Sequence, residues 1–143
     1  MKIAVGSDER GAVANAVVAF LETAGHTVTA VGPLAAGDQE WAEVGHTVGR
    51  LVSSGTCDRG VVFCWSGTGV CIAANKVSGA RAALCDDAET ARMARRYNHA
   101  NVLALSLRRT SEAMAQEIVS AFLDEPDGVE AFDHRNVRRL ENV

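Results

Sequence analysis

Short apolar runs alternate with longer amphipathic stretches along the whole chain of 143 residues. Runs rich in Val, Ile, Leu and Ala predict five strands, at residues 2–6, 27–31, 60–64, 80–85 and 101–105. Apolar residues at helical spacing predict helices at 12–24, 40–53, 70–76, 87–97 and 111–123, and a charged helix from about Glu130. Alternating strands and helices favour a parallel sheet between two helical layers. The sequence therefore predicts one α/β domain over residues 1–143, a three-layer α/β/α sandwich with a five-stranded parallel sheet, and a C-terminal helical arm from about residue 127.

Charge and composition narrow the classes of function. The formal net charge is −4 and no run of Lys and Arg occurs, so we expect no nucleic-acid or membrane partner. The first residues become polar too early for a signal peptide, and no apolar run reaches the length that spans a bilayer. The four cysteines include no Cys-x-x-Cys pair and the four histidines no His-x-x-x-His pair. This pattern predicts reduced cytoplasmic thiols and no metal site.

The most informative segment is GVVFCWSGTGVCIAANK, residues 60–76. A buried strand ends at Cys64, a turn of small residues follows, and a helix then begins. Gly67 and Gly69 allow the backbone to approach a ligand and to aim several N–H groups at one point, where the helix dipole attracts anions. Since open α/β sheets bind ligands at the carboxyl ends of their strands, the thiol can act there as a base or nucleophile beside an anion hole. The alternative is a cysteine that packs as a small hydrophobic residue; the Ser-Gly-Thr-Gly run favours the site.

Two further polar segments fall at the ends of predicted elements. Asp8 and Glu9 follow the first strand, at the same sheet edge as Cys64, and form either a solvated turn or part of a site. Tyr97, Asn98 and His99 connect the fourth helix to the fifth strand. His99 taken alone is either a surface histidine or a catalyst.

Arginines supply the third group of candidates. Arg108 and Arg109 follow the fifth strand, and Arg135, Arg138 and Arg139 cluster near the C-terminus. On an acidic protein they balance charge, but two that converge on one cleft would bind a phosphate.

Three other families are excluded because this chain lacks a residue that each of them requires. A low-molecular-weight phosphatase requires an arginine six residues after its cysteine, where this chain has Val70. A dinucleotide-binding loop requires a third glycine at Ile72 and usually follows the first strand. A signalling receiver domain requires a phosphate-accepting aspartate after the third strand, where Cys64 and Trp65 stand.

Three separated segments share a family pattern. Residues 64–76 follow C-G-T-G-x-G-x-S-I-A-A-N-K without a gap, residues 6–11 follow G-x-D-H-x-G, and residues 97–104 follow H-N-x-x-N-V-L-A. In this order they resemble the ribose-5-phosphate isomerase B family, which includes the galactose-6-phosphate isomerase subunits, from Lys2 to about Arg139. The resemblance implies a Rossmann-like sandwich and an isomerase without a cofactor.

The resemblance also implies roles around the cysteine. Cys64 corresponds to the base that abstracts the substrate proton, and Val70 stands where some members have a glutamate instead. Ser66 corresponds to the hydroxyl that relays a proton between the two substrate oxygens. The anion hole for the enediolate would be formed by the turn residues Trp65, Ser66, Gly67, Thr68 and Gly69.

Substrate contacts follow from the same resemblance. Asn98 would bind substrate oxygens, and Arg108 would bind the phosphate together with Arg135 or, in a shifted register, Arg138. Another arginine of the family falls on Ala131. Family members build the site from two subunits, so a homodimer or a tetramer is expected.

Three departures fall in the implied pocket. Tyr97 replaces the histidine credited with opening the sugar ring, a role that His99 could take instead. Glu9 replaces the histidine after the first aspartate, and Trp65 replaces a glycine of the turn. The expected reaction is the interconversion of ribose 5-phosphate and ribulose 5-phosphate through an enediolate. The alternatives are a tetrose or hexose phosphate, or a sugar-phosphate-binding subunit that is inactive alone.

Overall fold

The computed structural model describes all 143 residues and contains five strands and six α-helices in alternating order. The strands are β1 (Lys2–Ser7), β2 (Thr27–Val31), β3 (Arg59–Cys64), β4 (Ala82–Leu84) and β5 (Val102–Ser106). The helices are α1 (Ala12–Thr23), α2 (Trp41–Ser53), α3 (Thr68–Asn75), α4 (Ala88–Asn98), α5 (Glu112–Asp124) and α6 (Ala131–Glu141). A short 3₁₀ helix (Gly32–Ala35) occupies the loop after β2. None of the helices is long and apolar enough to cross a membrane.

The sheet is entirely parallel, with the strand order β2-β1-β3-β5-β4. Alternate side chains of each strand enter two separate cores. One core lies under α1, α4 and α5 and includes Val61 and Phe63. The other lies under α2 and α3 and includes Val62 and Cys64. The predicted α/β/α sandwich is confirmed, and the thiol of Cys64 lies on the α2–α3 face.

Helices α2 and α3 approach each other closely because α2 presents two glycines four residues apart. A Cβ on Gly45 would lie 2.6 Å from Ala73 Cβ, and a Cβ on Gly49 would lie 3.0 Å from Val77 Cγ2. Larger residues would therefore push α3 away from α2. Since α3 begins at the turn after Cys64, this contact sets the position of the turn.

Strand β4 is shorter than the predicted strand at 80–85 because side-chain amides replace part of the sheet pairing. The Asn75 amide accepts a hydrogen bond from the Ala82 N–H (2.8 Å) and donates one to the Ala82 carbonyl (2.9 Å). The Asn101 amide accepts from the Arg81 N–H (2.7 Å) and donates to the Gly79 carbonyl (2.8 Å). The two amides thus satisfy backbone groups around the start of β4, while the Arg81 carbonyl accepts from the backbone N–H groups of Asn101 and Val102.

Helix boundaries differ from the sequence prediction by one or two residues at most of the termini. Helix α3 begins at Thr68, two residues before the predicted start. Asp87 caps α4 by accepting a hydrogen bond from the Thr90 N–H (2.7 Å), which also lowers the pKa of its carboxyl. Helix α6 has no buried residue and contacts the rest of the chain mainly through α4. We refer to residues 127–143 as the C-terminal arm.

Candidate active site

The ends of β1, β3 and β5 bring most of the predicted site together at one edge of the sheet. The strand order reverses between β1 and β3, and such a switch point opens a crevice at the carboxyl ends of the strands. Ser7 pairs in register with Phe63, so Asp8 follows β1 beside Cys64. Cys64 pairs with Ser106, so the segment containing Arg108 lies on its other side.

The turn after β3 leaves a set of backbone N–H groups free. Gly67 has a φ of +78°, and a Cβ there would lie 2.6 Å from Leu84 Cδ1, so the turn requires glycine at this position. Of the N–H groups from Trp65 to Val70, only that of Thr68 has an acceptor in the chain, the Ser66 hydroxyl at 3.4 Å. The remaining groups, together with the start of α3, form a site for an anionic oxygen.

The hydroxyls of the turn are linked to each other. Ser66 Oγ lies 2.7 Å from Thr68 Oγ1, and both residues are exposed. Each hydroxyl can donate or accept, so the pair can pass a proton between two oxygens of a bound ligand. This geometry is compatible with the relay predicted for Ser66.

Cys64 is the cysteine whose thiol is available at this edge. The residue is 5% exposed at the carboxyl end of β3, and its thiol makes no hydrogen bond within the chain. The Cys71 thiol instead donates to the Ala82 carbonyl at 3.5 Å, and burial raises its pKa. Burial raises the pKa of Cys85 to about 12. Burial thus disfavours the thiolate that a base requires at Cys71 and Cys85.

Asp8, which follows β1 at the same edge of the sheet, has an unsatisfied acceptor. Its Oδ1 is buried without a hydrogen-bond partner, and burial, followed by the charge of Glu9, raises the pKa of the carboxyl. The buried Ser7 hydroxyl fixes the turn by donating to the Glu9 carbonyl (2.6 Å). A ligand hydroxyl that donated to Oδ1 would remove the cost of the unpaired acceptor.

Arg108 is the unpaired guanidinium beside the turn. The backbone N–H of Arg108 donates to the Trp65 carbonyl (3.1 Å), which also accepts from the Ser106 hydroxyl (2.9 Å). These bonds attach the end of β5 to the turn after β3. The side chain of Arg108 is exposed and makes no ion pair, whereas Arg109 is paired with Asp86 at 3.2 Å.

The sequence analysis did not identify Trp41 as a site residue. Its indole lies across Gly69, where a Cβ would be 2.9 Å from Trp41 Cε3, and the residue is 46% exposed. Both tryptophans of the chain, Trp41 and Trp65, therefore lie at this edge. In the sequence Trp41 is only the first apolar residue of α2, and the crossing of α2 over α3 brings it to the turn.

The remaining predicted residues lie at the opposite edge. Helix α4 runs back from the carboxyl end of the sheet, so its last residues, Tyr97 and Asn98, are at the amino edge. Asn98 lines a cavity of about 590 Å³ between the α3–β4 loop and the end of α6, and Tyr97 faces the base of the arm that carries Arg135. Within one chain these residues are separated from Cys64 by the length of the sheet.

Of the two alternatives for His99, the structure excludes a surface histidine. His99 is 7% exposed, and its ring lies against the arm. The residue ends α4 with a φ of +49°, in the left-handed region, so its side chain turns toward the arm instead of continuing along the helix.

The comparisons with known proteins agree with this architecture. Residues 3–143 match the model of the Ribose/Galactose Isomerase family. The chain belongs to this family. It is 36% identical to D-erythrulose-4-phosphate isomerase of Pectobacterium atrosepticum over 126 residues, 87% of this chain and 83% of that protein.

Solved structures of the family have the same fold. Ribose-5-phosphate isomerase B of Clostridium thermocellum is 36% identical, with a TM-score of 0.91 over 99% of this chain and 96% of that one. The Mycoplasma genitalium enzyme with bound ribulose 5-phosphate is 30% identical, with a TM-score of 0.89 over 99% and 94%. The predicted family and the predicted class, a sugar-phosphate isomerase, are confirmed.

Proposed function

We propose that this family member interconverts the aldose and ketose forms of a four- or five-carbon sugar phosphate in the cytoplasm, with ribose 5-phosphate as the leading substrate. The observation that carries the proposal is the row of free N–H groups beside the Cys64 thiol. An enediolate intermediate needs a base next to its carbon and donors around its oxygen, and the turn supplies both. The reaction consumes no reductant or oxidant and requires no cofactor.

In the proposed mechanism the Cys64 thiolate removes the proton from C2 of the open-chain aldose. The charge that develops on the O1 atom is stabilised by the N–H groups of residues 65–70. The Ser66 hydroxyl, bonded to Thr68, transfers the proton between O2 and O1. The thiol then returns its proton to C1, which yields the ketose and regenerates the thiolate. Asp8 Oδ1 accepts a hydrogen bond from a sugar hydroxyl and orients the chain.

We propose a homodimer in which each active site combines the carboxyl edge of one subunit's sheet with the amino edge of the other subunit's sheet. Two copies related by a two-fold axis and packed antiparallel would place Tyr97, Asn98 and the arm of one against Cys64 of the other. Apolar side chains on the faces that would meet support this arrangement, since Ile72 and Leu140 are each 59% exposed. The cavity lined by Asn98 would then lie at the subunit interface.

The Arg108→Ala substitution is expected to raise KM for phosphorylated sugars about tenfold to hundredfold, the loss of one charge-assisted contact. Turnover of ribose, the unphosphorylated sugar, is expected to be as low in this variant as in the wild type. Initial rates over a range of ribose 5-phosphate and ribose concentrations measure the difference. Arg109→Ala is the matched control, because that guanidinium is already paired with Asp86. Equal losses on both sugars would make Arg108 structural.

A tetrose phosphate is the second candidate substrate, favoured by Tyr97. A phenol is a weaker acid–base catalyst at neutral pH than an imidazole, so ring opening of ribose 5-phosphate should be slow, whereas a tetrose phosphate is already open. We expect Tyr97→His to raise kcat on ribose 5-phosphate up to about a hundredfold, the low end of general acid–base catalysis, and to change the tetrose rate much less. Assays of tetrose, pentose and hexose phosphates on the purified chain measure both effects. High wild-type activity on ribose 5-phosphate that Tyr97→Phe leaves unchanged would contradict this prediction.

A further inference from the structure

The C-terminal arm is attached to the domain by polar contacts at its base instead of by a hydrophobic core. None of the residues of α6 is buried, and Phe132 and Leu140 are among its exposed apolar side chains. An amphipathic helix without a buried face gains little from packing, so its position depends on the contacts that remain. At the base of the arm these contacts come from the last turn of α4 and from His99; at the far end of α6, Glu141 forms an ion pair with Arg81.

Arg95 forms the first of these contacts and is nearly inaccessible to water. It is 3% exposed, and its guanidinium donates to the carbonyls of Glu125 (3.2 Å) and Ala100 (2.6 Å). The same group lies 2.8 Å from the Asp127 carboxylate, at the first residue of the arm. Burial lowers the pKa of Arg95, which shows that its surroundings disfavour the charge, and Asp127 opposes the shift. A buried cation of this kind holds its partners in place, because releasing them would leave the charge unpaired.

His99 forms the second contact. Its Nε2 lies 3.1 Å from the Gly128 carbonyl, and a carbonyl can only accept, so Nε2 carries the hydrogen. The ring meets that of His134 edge to face, with the centroids 4.8 Å apart and an angle of 82°. The Gly128 N–H also donates to the Arg96 carbonyl (2.9 Å), where a Cβ on Gly128 would clash. The backbone of the arm is therefore held at residues 127 and 128, one turn before α6.

We propose that Arg95 and His99 are positioning residues that clamp the base of the C-terminal arm and thereby place the arginines of α6 for the substrate phosphate. The inference rests on the proposed function, which makes the arm part of the site. His99 then acts through the arm and does not exchange a proton with the sugar.

Variants on the arm test the clamp without disturbing the buried side of α4. Asp127→Asn combined with His134→Ala removes the carboxylate that pairs with Arg95 and the ring that packs against His99, and leaves the hydrogen bond from His99 to the Gly128 carbonyl in place. Both changed side chains are exposed, that of Asp127 to 48%. Asp133→Asn is the matched control, because it removes the same charge from the arm at a carboxylate that makes no ion pair. Hydrogen exchange followed by mass spectrometry reports arm docking in the intact enzyme and needs no activity. We expect exchange in residues 131–141 to rise about tenfold in the double variant, with no change in β1–α5 or in the control.

Kinetics test the consequence for the substrate. If the arm is docked in only about one tenth of the molecules of the double variant, the apparent Kd for the substrate rises about tenfold. KM for ribose 5-phosphate should then rise by about that factor, while kcat should change less than about threefold. The unphosphorylated sugar should show no change. His99→Gln should retain wild-type kcat, since the glutamine amide can donate to the Gly128 carbonyl, whereas His99→Ala should resemble the double variant.

The outcomes separate the clamp from the proposed function. Unchanged exchange in the double variant overturns the clamp, whatever the activity. Faster exchange with unchanged KM shows that the arm is clamped but does not position the phosphate, which also overturns the inference. A His99→Gln enzyme with a normal KM and a lost kcat would make His99 a proton-transfer catalyst. A wild-type enzyme without activity on any sugar phosphate overturns the proposed function, and the exchange result alone then decides the clamp.

Discussion

Cys64→Ala is expected to lower the rate of isomerisation by about 10²–10⁴-fold, the contribution of a positioned general base. Alanine has no group that can accept the carbon-bound proton, and none of the other three cysteines replaces it. Cys57 is buried before the start of β3, at the opposite edge of the sheet, and burial raises the pKa of both Cys71 and Cys85. Exchange of the substrate C2 proton with deuterated solvent should vanish together with turnover. The fold should remain, since replacing a small buried side chain by alanine in the α2–α3 core costs about 1 kcal/mol.

Cys71→Ala is the matched control for this experiment. Cys71 lies on α3, seven residues after Cys64, and its thiol is engaged with the Ala82 carbonyl, so its removal should leave kcat within about threefold of wild type. Substrate binding by the Cys64→Ala enzyme, measured by calorimetry, should be retained. A Cys64→Ala enzyme with more than about a tenth of wild-type turnover, which corresponds to roughly 1.4 kcal/mol of barrier, would exclude Cys64 as the base.

Mixing two inactive variants is expected to restore activity if the site is shared between subunits. Arg135 is exposed and makes no ion pair; its guanidinium lies 5.9 Å from the centroid of the Phe132 ring, so it is free to bind a phosphate of the neighbouring subunit. Cys64→Ala and Arg135→Ala should each be poorly active alone. In an equal mixture half of the dimers contain both variants, and one of their two sites is intact, so about a quarter of wild-type activity should return.

The control for this mixture is Cys64→Ala combined with the double variant Cys64→Ala/Arg135→Ala. None of its dimers contains an unmodified Cys64, and none should be active. Subunit exchange is verified by native mass spectrometry of differently tagged chains. If exchange is complete and no activity returns, both residues belong to the site of a single subunit and the proposed antiparallel dimer is wrong.

Local patterns were sufficient for much of the fold and for half of the site. The apolar runs and periods identified all five strands and the first five helices, because the burial of one face depends on the spacing of residues within a segment. Helix α6 was predicted from the break at Pro126 and Gly128 and the charged segment that follows. The Ser-Gly-Thr-Gly run after Cys64 predicted the turn, since Gly67 is required there by its positive φ. Asp8 and Cys64 were expected at one edge because the carboxyl ends of parallel strands meet there.

Tertiary structure alone decided which of these residues are neighbours. Trp41 reaches the turn only because Gly45 and Gly49 let α2 cross α3 closely, and that contact joins segments distant in sequence. His99 is buried because its left-handed backbone turns the ring onto the arm, which no local pattern indicated. Tyr97 and Asn98 lie at the opposite edge from Cys64 because a helix between parallel strands must return along the full length of the sheet. Whether two site residues are neighbours depends on how whole helices and strands pack. Patterns within single segments do not give the distance between residues of different segments.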